Sequence, residues 1–213
     1  MLHRLKEMVC DYNKLLPTHG LVRMTSGNVS GHDPESGCVV IKPSGVSFED
    51  LTPEVMSVVD LDGNAVGGHF KPSVDTATHL YVYRHMPNVG SVIHTHSNYA
   101  TAFAALGEGI PCCLTAIADE FGGPIPISAY ARIGEEEIGR EIVEKIGACP
   151  AILIKSHGVF TVGRTVADAF KAAVMLEDVA KTVYIARSMG RPIEIPADEV
   201  ERAHRRYVEK YGQ

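Results

Sequence analysis

The chain has 213 residues, 45% hydrophobic, 22% charged and 7% aromatic, and carries a formal net charge of −6. At roughly 150 residues per domain this predicts a single domain over 1–213 with an ample core, and excludes a disordered chain or a disulfide-stapled miniprotein. No basic stripe suggests a nucleic-acid partner, and no apolar run nears the roughly 18 residues that a membrane span needs.

The five cysteines (10, 38, 112, 113 and 149) are odd in number and form no CxxC pair, which predicts a reducing, cytoplasmic setting. Residues 1–16 carry charges throughout and do not read as a signal peptide. Leu2, Leu5, Met8, Val9, Tyr12 and Leu16 instead recur at helical spacing, closed by Pro17 and Gly20. Residues 25–37, dense in Gly, Ser, Asn and Pro, read as a loop. Residues 38–42 read as a buried strand, and 57–64 as a strand entering an Asp-Gly-Asn turn, with Gly67-Gly68 as a further turn.

Residues 76–86 predict a helix capped by Ser73 or Asp75 and stopped by Pro87. A strand over 89–96 follows, and Ser97 opens a small-residue helix. Ile133, Ile138, Ile142 and Ile146 fall near one face of the next helix, with Glu135 to Glu137 in its first turn. Residues 151–155 are another buried strand. Thr165 and Asp168 have the spacing of a capping box before an apolar stripe that runs to Gly190. Helices alternating with short strands predict an α/β/α arrangement around a central sheet.

The chemistry concentrates in histidine. His94 and His96 stand two apart on a strand, so both project to one side with Cα atoms roughly 6.5 Å apart and can converge on one ion. His157 leaves a second buried strand beside Gly158, and Asp75 begins a helix upstream. Three imidazoles and a carboxylate suit Zn²⁺ or a similar first-row divalent ion. His79, four residues after Asp75 on the same helix face, is a rival ligand that spacing leaves open. Three polar turns, 25–30, 42–45 and 71–73, offer hydroxyls and backbone N–H groups able to cradle an anion. No Gly-rich nucleotide motif accompanies them. Asp119, in a loop between two helices, and Tyr211, near the C-terminal end, read from position alone as surface residues.

TSGNVS, IKPSG, KPSVDTATH, VIHTHS and IKSHG occur in an order that resembles the class II aldolase/adducin-like family along essentially the whole chain. Within it the pattern is most similar to the sugar-phosphate 4-epimerase branch, on Asp75, Asp119 and the terminal Tyr-Gly-Gln. The resemblance implies a single-domain α/β/α sandwich with a central, largely antiparallel sheet flanked by helices. It implies a metal, usually zinc with Mn²⁺ or Co²⁺ as alternatives, held by Asp75, His94, His96 and His157. Phosphate would be bound by Asn28, Lys42, Ser44, Gly45 and Ser73, with Val74 where the family commonly has a second Ser.

The implied assembly is a C4-symmetric homotetramer with sites between neighbours, to which Asp119 and Tyr211 contribute an acid/base pair. The implied reaction inverts C4 of L-ribulose 5-phosphate to give D-xylulose 5-phosphate, by cleaving and re-forming the C3–C4 bond. It serves pentose use such as arabinose catabolism. A sugar-phosphate aldolase is the alternative activity, and a non-catalytic adducin-like scaffold is the alternative of another class.

Overall fold

Short Val- and Ile-rich segments cannot bury both faces alone, and here they are collected into one sheet. The computed structural model describes residues 2–67 and 69–210. Its strands are β1 (Asn28–Asp33), β2 (Cys38–Ile41), β3 (Ser57–Asp60), β4 (Ala65–Gly67), β5 (Ser91–Thr95), β6 (Ala151–Ile154) and β7 (Gly158–Gly163). They lie in the order β4-β3-β2-β1-β5-β7-β6, and every neighbouring pair is antiparallel. The helices are α1 (Leu2–Thr18), α2 (Thr76–His85), α3 (Asn98–Leu106), α4 (Thr115–Phe121), α5 (Glu137–Lys145), α6 (Val166–Met189) and α7 (Ala197–Lys210).

Alternation along the strands sorts their side chains between two faces. Val40 and Ile93 pack with α1 and α6, whereas their neighbours Val39 and Val92 pack with α2 and α5. A third cluster joins α3, α4, α6 and α7. Each fully buried Val, Ile or Phe contributes about 1.5–3 kcal/mol relative to exposure. Among the described residues no helix is long and apolar enough to cross a membrane.

Several expectations need correction. Residues 25–37 are not a loop, because β1 runs through them in the middle of the sheet, between β2 and β5. Three of its polar side chains find partners there, Asn28 on Asp75, Ser30 on His79 and Tyr83, Asp33 on Ser36, whereas His32 Nε2 is buried without one. Gly31 supplies the room that α1 needs, since a Cβ there would sit 2.8 Å from Leu5 Cδ1 and 3.0 Å from Val9 Cγ2. Asp119 lies on α4, not in a loop. Ile133 precedes α5 and is exposed rather than on its buried face. Neither Ser73 nor Asp75 caps α2 with its side chain. The Thr165–Asp168 capping box is present at the start of α6. Gly67 ends β4, and Gly68 lies outside the described residues.

Candidate metal and anion site

Two strand ends bring the histidines together. His94 lies in β5, paired across the ladder with Phe160 of β7, and His96 follows the end of β5. The β6–β7 turn places Ser156 at φ 60, in the left-handed region, and the next residue is His157. That reversal delivers His157 to the HxH pair. The ring nitrogens of His94, His96 and His157 lie within 4.8 Å of one another. His94 Nδ1 pairs with the Val159 carbonyl at 2.9 Å, which commits that nitrogen as the donor and turns Nε2 inward. His94 Nε2 and His96 Nε2 stand 2.8 Å apart.

His94 is lowered to about 3, by burial above all; Asp75 opposes the shift and the nearby His96 and His157 add to it. Burial also lowers His96 and His157. Neutral imidazoles present lone pairs, the form a metal requires. His157 Nδ1 is buried without a hydrogen-bond partner in the structure. Converging nitrogens with such an orphaned atom fit a divalent first-row ion.

Asp75 stands beside the triad but outside the 4.8 Å group. Its Oδ2 accepts from Asn28 Nδ2 at 2.7 Å and from Ser73 Oγ at 3.4 Å. Burial opposes its ionisation, yet the surrounding imidazoles, His94 first, and the Asn28 amide hold its carboxyl below the ordinary range. His79, like Asp75, lies outside that group, and its Nδ1 faces Ser30 Oγ at 2.7 Å.

The polar turns meet the histidines in one cavity of about 370 Å³, lined by Asn28, Lys42, Ser44, Gly45, Ser73, Asp75 and all three histidines. Two turns brace each other, with Ser44 N donating to the Lys71 carbonyl and Ser73 N to the Lys42 carbonyl. Lys42 is only 2% exposed. Its ammonium donates to the carbonyls of Val46 at 2.7 Å, Pro43 at 3.3 Å and Thr25 at 3.4 Å. It therefore ties two anion turns together and adds positive field to the cavity, while burial lowers it to about 8.

Asp119 does not line its own chain's cavity. It faces Arg206 of α7 at 3.5 Å, and its carbonyl accepts from His204 Nδ1 at 2.7 Å. Tyr211 lies outside the described residues. Sequence reasoning missed Phe160, whose ring stacks on His94 at 4.3 Å. It also missed Glu177, whose carboxylate accepts the Tyr99 and Ala100 N–H groups at the start of α3, just after His96. Glu177 is 77–78 residues distant, so no local signal marks it.

An antiparallel sheet between helices, with a histidine triad facing an anion cradle, is the arrangement of a metal-assisted enzyme acting on a small anion. The sequence profile of the Class II Aldolase and Adducin N-terminal domain matches residues 7–184, and the chain belongs to that family. It is 42% identical to L-ribulose-5-phosphate 4-epimerase UlaF of Salmonella paratyphi C, over an alignment of 224 residues covering 99% of this chain and 96% of the relative. The corresponding UlaF of Salmonella typhi is 41% identical over the same span. A solved L-fuculose 1-phosphate aldolase superposes with a TM-score of 0.92 at 29% identity, covering 96% of each chain. The L-fuculose-1-phosphate aldolase of Thermus thermophilus gives 0.77 at 25% identity, over 87% of this chain and 95% of the other.

Proposed function

We propose that this chain is a metal-dependent L-ribulose-5-phosphate 4-epimerase, a single domain over 1–213 that works as a homotetramer with sites between subunits. The observation that carries this reading is the convergence of His94, His96 and His157 on the same cavity as the Ser44, Gly45 and Ser73 turns. Asp75 completes the ligand set. A divalent ion held there, zinc before Mn²⁺ or Co²⁺, supplies Lewis acidity to the ketose oxygens.

C4 of the substrate bears no acidic proton, so inversion by direct proton removal is unfavourable. Breaking C3–C4 gives a three-carbon ketone fragment and glycolaldehyde phosphate. Asn28, Ser44, Gly45 and Ser73 hold the phosphate, with Lys42 bracing the turns. The aldehyde thus stays tethered while it presents its other face for re-addition. Asp119 and Tyr211 of a neighbouring subunit exchange the C4 hydroxyl proton. The position of Asp119 outside its own chain's cavity supports sharing between subunits. The structural similarity to L-fuculose 1-phosphate aldolase favours a second reading, cleavage without re-addition.

Zinc-loaded protein incubated with L-ribulose 5-phosphate and followed by ¹³C NMR separates these readings. D-xylulose 5-phosphate is the expected product. Accumulating glycolaldehyde phosphate and dihydroxyacetone would assign an aldolase, and no turnover would refute both.

A further inference from the structure

β5 ends at Thr95, so His96 is the first residue beyond its ladder. His94 Nδ1 pairs with the Val159 carbonyl, whereas the only hydrogen-bond contact of the His96 ring among the described residues is with His94. Where the His96 imidazole stands therefore depends on how the chain leaves β5. It leaves through Ser97 alone, because α3 begins at Asn98. The Ser97 carbonyl already accepts from Thr101 N at 2.9 Å, as part of the first helical turn.

A helix start exposes N–H groups that a Ser, Thr, Asp or Asn just before it usually satisfies with its own side chain. Ser97 occupies that place and is fully buried. Its side chain makes no cap hydrogen bond, and its Oγ has no partner in the structure. Glu177 of α6 acts in its stead. Its Oε1 accepts from Tyr99 N at 3.0 Å and its Oε2 from Ala100 N at 2.9 Å. These are the second and third N–H groups of α3, and a negative charge there also meets the positive end of the helix dipole. The same stripe of α6 holds the Tyr99 ring. Lys181 Nζ lies 5.8 Å from its centre, and the Tyr184 ring lies 5.6 Å away. A cap from Ser97 would tie the helix start to nothing else, whereas the cap from Glu177 fastens it to α6.

We propose that Glu177 is a positioning residue for the metal site: its clamp on the Tyr99 and Ala100 N–H groups fixes the exit from β5, and with it the place of the His96 imidazole. The inference rests on the metal reading above. In Glu177→Ala the clamp is gone, and Ser97 Oγ is free to swing onto Ala100 N. That restores a cap but not the tether to α6. Zinc therefore binds about 10-fold more weakly, the lower end of what losing a ligand's outer support brings. Glu177→Gln keeps one carbonyl oxygen as an acceptor and falls between that variant and the wild type. Ser97→Ala, which removes a hydroxyl without a partner, keeps wild-type zinc affinity.

The test uses the full chain and begins without metal. Amide hydrogen exchange of the ¹⁵N-labelled, metal-free protein reports the Tyr99 and Ala100 N–H groups, which have no acceptor within their own helix. Slow exchange of both is expected in the wild type, with faster exchange in Glu177→Ala, at Tyr99 above all. Rapid exchange of both in the wild type overturns the clamp. Zinc affinity is then measured by competition with a chelator, and the visible absorption of the Co²⁺-loaded protein reads the geometry around the ion. Weaker zinc binding with a shifted cobalt spectrum in Glu177→Ala is the expected result. An unchanged affinity or an unchanged spectrum makes Glu177 a helix cap only and overturns the proposal. So does a loss in Ser97→Ala as large as that in Glu177→Ala. A wild type that binds neither ion overturns the metal reading, and the proposal with it.

Discussion

Gly158 follows His157 directly and opens β7, and replacing it by alanine tests how tightly the strand ends are set. A Cβ there would lie 2.7 Å from the Thr95 carbonyl oxygen, 3.2 Å from His94 Cε1 and 3.3 Å from His96 Cδ2. The first of these contacts is backbone in a ladder and cannot rotate away. Restoring an ordinary contact of 3.4 Å from 2.7 Å moves β7 back by about 0.7 Å. A ladder bond of about 2.9 Å stretched that far leaves hydrogen-bond range. Overpacking of this kind costs about 1–3 kcal/mol, which corresponds to about 2–4 °C of melting temperature per kcal/mol in a chain of this size. The displacement also exceeds the ~0.5 Å tolerance of a preorganised site, so zinc affinity should fall by at least ~10-fold. Thermal melting of the metal-free protein and chelator competition measure the two effects. Gly190→Ala is the control: its Cβ meets nothing within 4 Å and its φ of 165 is extended backbone. Gly158→Ala with wild-type melting and wild-type zinc affinity would refute the close-approach argument.

His96→Asn should lower metal retention and turnover by orders of magnitude, because it removes a ligand, and full occupancy by elemental analysis would exclude His96 from the set. Lys42→Met should alter the pH dependence of stability. The folded amine titrates near 8 against an ordinary 10.5, so between those values the unfolded chain holds more protons and wild-type stability rises with pH by about 3 kcal/mol relative to the variant. Below pH 8 the two should run parallel in denaturant titrations, and parallel behaviour across the whole range would refute the buried charge. Mixing Asp119→Asn with His157→Asn chains should restore activity at interfaces that contain neither lesion. Verified mixed oligomers that stay inactive would place both residues in one subunit's site.

The histidine pair was legible because two residues on a strand must share a side, a constraint that needs no tertiary information. The apolar strands β2, β5 and β6 were legible from composition alone. β1 was not, because Asn28, Ser30 and Asp33 belong in a sheet centre only when Asp75, His79, Tyr83 and Ser36 are there to meet them. Those partners lie up to 53 residues away. Spacing likewise left His79 and Asp75 both open, since only the fold shows His79 Nδ1 facing Ser30 on another element. Asp119 read as a loop residue, but it lies on the short α4, which ends at Gly122 in the left-handed region.

The register of β1 against β5 pairs Asn28 with His94. One end of that rung opens on the turn that meets Ser73, the other on the imidazole pair. The span between anion cradle and imidazoles is therefore a length measured in strand spacings, fixed by the two ladders that hold β5 between β1 and β7. On the proposed phosphate reading, a substrate with one more carbon between its phosphate and its reacting bond would have to fold to fit that span.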